Sequence, residues 1–103
     1  MPTLTWTELR PEPFAAYETV TPHGLVTIHA EDWNWELTWH RDGESYPARV
    51  DCAFPETARD LAEHIAGLDK SAAMSVDVRS LREVSKILGL GHSFDRQHPE
   101  LHR

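Results

Sequence analysis

The chain has 103 residues, 40% of them hydrophobic, four Trp among them, and a formal net charge of -7. That length suits one domain and is too short for two independent cores, and a chain of this size buries roughly 65% of the surface its unfolded form exposes. A disordered ground state is not expected, and the acidic balance opposes nucleic acid and anionic membrane surfaces, both of which need a basic footprint.

The acidity is uneven. Residues 1–64 carry twelve acids against Arg10, Arg41, Arg49 and Arg59, a balance of -8, whereas the rest carries five acids against six bases. The single cysteine, Cys52, cannot close an intramolecular disulfide or build a zinc-finger type of site, so a reducing, cytoplasmic setting is expected. No run of about 18 apolar residues offers a membrane span.

In chain order, Thr3-Leu4-Thr5-Trp6-Thr7-Glu8-Leu9 alternates and is β-branched, which predicts a first strand ending before Pro11 and Pro13. Residues 14–21 and 25–30 flank Thr21-Pro22-His23-Gly24 and predict a hairpin. Residues 33–54 predict a second one, turning at Asp42-Gly43. Trp33, Trp35, Leu37 and Trp39 alternate with polar residues, and Tyr46, Ala48, Val50, Cys52 and Phe54 repeat the period. A two-residue loop would place Trp39 opposite Tyr46, Leu37 opposite Ala48, Trp35 opposite Val50 and Trp33 opposite Cys52, with Glu36 meeting Arg49 on the other face. Pro47, lacking an N–H, marks that stretch as a sheet edge.

Pro55 then opens a helix whose stripe is Ala58, Leu61, Ala62, Ile65 and Leu68, and Gly67 stops it. Met74, Val76 and Val78 alternate as a short strand. Ser80-Leu81-Arg82-Glu83 reads as a capping box opening a second helix with Leu81, Val84, Ile87 and Leu88 on its stripe, ended by Gly89 and Gly91. These elements predict an α+β fold: an antiparallel β-meander of four to five strands followed by helix, strand and helix, a two-layer sandwich. Residues 1–91 are expected to form the single domain and residues 92–103 a polar, flexible tail.

Chemistry is sparsely marked. The tail holds His92, Asp95, His98 and His102, but Gly91 precedes them and Pro99 divides them, so a solvated tail is preferred to a metal site. His23, His29, His40 and His64 read as ordinary surface or half-buried imidazoles, and Cys52 as a small hydrophobe. No nucleophile stands at a motif spacing from a base, and no Gly-rich phosphate loop is present. Ser80 to Leu90 resembles the opening helix of a helix-turn-helix unit, yet the polar stretch after it is too broken for a recognition helix. Catalytic residues, metal ligands and cofactors are therefore not expected.

Two binding readings remain. The first is a non-enzymatic interaction module that docks a basic protein surface through Glu31, Asp32, Glu36, Asp42 and Glu44, in the manner of small acidic inhibitors or immunity-type proteins. The second is a small-ligand or carbohydrate binder that stacks its ligand on an aromatic sheet face of Trp33, Trp35, Trp39 and Tyr46, against which stands the preferred reading that the first helix covers this face as core. A third, an enzyme or metal protein of the histidine tail, requires that deleting residues 92–103 abolish activity or metal uptake.

Overall fold

Alternation along the first half of the chain produces five antiparallel strands in sequence order: β1 (Thr7–Arg10), β2 (Ala16–Thr21), β3 (Gly24–Ala30), β4 (Trp35–Arg41) and β5 (Ala48–Cys52). The computed structural model describes residues 4–97. Because successive side chains point to opposite faces, the pairing gathers Thr19, Val26, Trp39 and Ala48 into one row and Tyr17, Ile28, Leu37 and Val50 into the next. Three helices follow, α1 (Pro55–Ala66), α2 (Lys70–Ser75) and α3 (Val78–Gln97). α1 lays Ala58, Leu61, Ala62 and Ile65 on the apolar rows, and α3 packs against α1 and β5. The result is an α+β fold with one buried sheet face. On the opposite face the pairing lines up Glu18, Thr27, Thr38 and Arg49, and beside them Ala16, His29, Glu36 and Asp51.

The β2–β3 turn is tied into the core. Gly24 takes φ +121°, the His23 N–H donates to Thr21 Oγ1 at 3.1 Å, and the Thr21 hydroxyl donates to the Gly24 carbonyl at 2.8 Å. The buried His23 ring meets the Leu68 carbonyl through Nε2 at 2.6 Å, just beyond the end of α1, and its own carbonyl accepts from the Trp39 indole at 3.1 Å. α1 itself begins at Pro55 and is capped at Gly67, as its stripe predicts.

Four expectations need correction. First, the opening strand begins at Thr7; residues 4–6 lie outside it, although Leu4 and Trp6 pack against the core and the Thr5 carbonyl accepts from Thr19. Second, the chain does turn at Asp42-Gly43, with the Glu44 N–H on the Arg41 carbonyl at 3.1 Å, but pairing resumes only at Ala48. Trp39 therefore faces Ala48, Leu37 faces Val50, Trp35 faces Cys52 and Glu36 faces Asp51. The shift of two residues keeps the side chains of the paired strands on their predicted faces while changing their partners, and it leaves Trp33 and Tyr46 outside the strands. Its cause is local: Pro47 has no N–H for the ladder, and Arg41 is drawn away to the carbonyls of Ala73 and Val76 and to Glu44.

Third, the short strand around Met74 and Val76 is absent. Asp69 caps α2 by accepting from the Ala72 N–H at 2.7 Å, and Lys70-Ser71-Ala72-Ala73-Met74 are adequate helix formers. Fourth, α3 starts one turn early and ends late. Asp77, not Ser80, accepts the free N–H, from Ser80 at 2.8 Å. The helix then continues through Gly89 and Gly91 to Gln97, so the first part of the expected tail is helical. Gly89 is buried beside Ala53, where an added Cβ would make only ordinary contact at 3.7 Å, and one interior glycine costs about 1 kcal/mol, too little to stop a 20-residue helix.

Hydrogen bonds from Ser80 hold the Asp77 carboxyl below its ordinary range. A depressed folded-state pKa contributes stability that is complete above the unfolded-state value and is lost as pH falls through the folded one. Asp77→Ala should thus lower the urea midpoint at about pH 7 and converge on the parent by about pH 2. A gap independent of pH would show that the carboxylate is not the cap.

Candidate functional site

The β3–β4 turn is closed by the Glu31 N–H on the Asn34 carbonyl at 2.8 Å, and it folds Glu31 back over the open sheet face. There His29 Nε2 lies 2.7 Å from a Glu31 carboxylate oxygen and 3.9 Å from one of Glu36, its partner across the β3–β4 pair. Asp51 stands opposite Glu36 on β5, and the exposed Asp32 sits in the turn. Four carboxylates and one imidazole thus share one end of the sheet. Like charges directly opposed across a ladder destabilise it, and Arg49, the expected partner of Glu36, faces Thr38 instead. Among the described residues, the ion-pair partner of both Glu31 and Glu36 is His29.

The five predicted docking acids do not form one patch. Glu31, Asp32 and Glu36 are brought together, while Asp42 and Glu44 lie at the other end of the seven-residue β4, about 20 Å away at roughly 3.3 Å per residue. Glu44 is already paired with Arg41 at 3.1 Å. Asp51 and His29 join the site without having been predicted there.

A groove of about 680 Å³ adjoins this acidic end and shares Asn34 and Asp51 with it; Phe54, Ser85, Lys86 and Leu90 line its other walls. Leu90 and Ile87, on the same helix, are largely exposed, and Trp33 in the β3–β4 turn is 95% exposed. Cys52 lines the groove with 1% exposure, where burial pushes its thiol pKa up.

The aromatic platform does not exist as one surface. Trp39 is fully buried, with the Arg41 guanidinium 5.1 Å from its ring centroid. Trp35 is half-buried and stacks on Tyr17 at 6.4 Å. Trp33 and the 86% exposed Tyr46 belong to loops at opposite ends of β4. The predicted aromatic set is thereby divided because the helices cover the very face on which Trp35 and Trp39 lie.

Of the tail histidines, His92 belongs to α3 and uses both ring nitrogens: Nδ1 lies 2.8 Å from Thr57 Oγ1 and Nε2 lies 2.8 Å from Asp60 Oδ2. The atom types are those of a nucleophile, base and acid in series, but Thr57 has no exposure and so no substrate carbon can reach it. The chain of contacts clamps α3 to the first turns of α1. His98 and His102 lie outside the described residues. Compared with protein-family models, with curated proteins and with solved structures, the chain matches none. No helix among the described residues is long and apolar enough to cross a membrane.

Proposed function

We propose that this chain is a non-enzymatic docking module that receives a basic surface of a partner protein at the acidic end formed by Glu31, Asp32, Glu36 and Asp51. The observation that carries this reading is the register: Glu36 is opposed by Asp51 rather than by Arg49, and among the described residues no lysine or arginine forms an ion pair with these carboxylates. A cation from a partner would relieve that repulsion. The neighbouring groove with exposed Leu90, together with the exposed Trp33 of the adjacent turn, supplies the apolar surface that a purely electrostatic contact would lack. Such docking suits neutralisation of the partner, as small acidic inhibitors achieve it, and a reducing, cytoplasmic setting suits the buried thiol of Cys52.

The test is capture from the host lysate with the tagged chain, at low and moderate salt and in the presence of a chelator, beside a Glu36→Lys/Asp51→Lys double variant. The expected result is a stoichiometric basic protein that salt releases and that the double variant does not retain. Equal retention by both forms would overturn the reading.

A further inference from the structure

We infer that His29, Glu31 and Glu36 form a binding site for a divalent first-row transition ion, with zinc as the natural occupant. The two carboxylates do not merely lie near each other. Both approach the same imidazole atom, Nε2, at 2.7 and 3.9 Å, and the three ligand atoms all lie within 4.8 Å of one another. A tetrahedral ion with bonds of about 2.0 Å requires ligand separations of about 3.3 Å, which the observed values bracket. Two ligands are preorganised, because His29 and Glu36 are partners across the β3–β4 ladder. Glu31 is carried by the turn that its own N–H closes, and its exposed side chain is free to adjust.

A mixed donor set of one nitrogen and two carboxylate oxygens distinguishes zinc and its neighbours from calcium and magnesium, which prefer oxygen alone and more ligands. A separate feature points the same way. Asp51, which touches the cluster only through its place opposite Glu36, adds negative charge that no described arginine or lysine pairs with. The alternative is that His29 serves only as the shared partner of Glu31 and Glu36, with no ion between them.

Zinc titration into the full chain by calorimetry separates the two. One equivalent should bind to the parent. His29→Ala and Glu36→Gln should each weaken binding at least about tenfold, and His64→Ala, on the exposed side of α1, should not. Glu31→Gln lies outside both strands and keeps the test alive should a strand variant fail to fold; it too should weaken binding. Failure of the parent to bind one equivalent, or binding that survives these ligand changes, would overturn the inference. The titration involves no partner and the capture experiment contains a chelator, so either proposal can fail alone.

Discussion

Trp39→Ala is expected to lower the unfolding free energy by about 3–5 kcal/mol, whereas Trp33→Ala moves it by less than about 0.5 kcal/mol. Both residues sit on the alternating run that opens the second hairpin, and only their surroundings differ. Trp39 is fully buried among Val26, Ala48 and the helical residues of the core, its indole N–H satisfied by the His23 carbonyl and its ring covered by Arg41. Truncation removes a large apolar surface, leaves a cavity and strips the His23 carbonyl of one donor. Trp33 has 95% of its surface in water and little to lose. Urea unfolding followed by circular dichroism measures both, and similar small shifts would contradict the assignment of Trp39 to the core. For a domain with only about 5–15 kcal/mol in total, the larger loss approaches unfolding.

Gly24→Ala carries the second large effect, a loss of about 3 kcal/mol. Two causes add. The residue holds φ +121°, which a side chain rarely adopts, and a Cβ there would overlap the carbonyl oxygen of His40 on the neighbouring strand. Backbone must therefore move at the β3–β4 pairing, which also disturbs the His23 turn and its hold on Leu68 and Trp39. Gly43→Ala is the control, because its φ of +80° is strained while only the flexible end of Met74 lies near, at 3.6 Å. Its cost should be about 1 kcal/mol. Equal costs at the two glycines would show that close packing at Gly24 is not what demands it.

The strands, their faces and α1 were legible because period and punctuation coincide there: Pro22, Gly24, Gly43, Pro55 and Gly67 all stand at element boundaries. Register was not. A pattern of period two looks the same after a shift of two, so Trp35, Leu37 and Trp39 satisfy either pairing, and the opposite charges of Glu36 and Arg49 favour the one the fold does not use. α2 was hidden by three alternating apolar residues, although Asp69 three positions before Ala72 is a capping signal. The passage of α3 through Gly89 costs about 1 kcal/mol locally and is offset by the packing of α3 on α1 and β5, which no local propensity contains.

The site was half visible for the same reason. Glu31, Asp32 and Glu36 stand out as acids close in sequence, but Asp51 joins them only through the true register, and His29 only once β3 is paired with β4 across residues 31–34. Asp42 and Glu44 share their sign with the site but sit at the wrong end of the strand.

The most direct measurement of the docking claim is the association rate of the captured partner against ionic strength, for the parent and for Glu36→Lys/Asp51→Lys. Electrostatic docking predicts a parent rate that falls about tenfold or more as salt rises from low to physiological levels, and a double variant that is slow at low salt and nearly indifferent to it. A parent rate insensitive to salt, unchanged by reversing both charges, would contradict it.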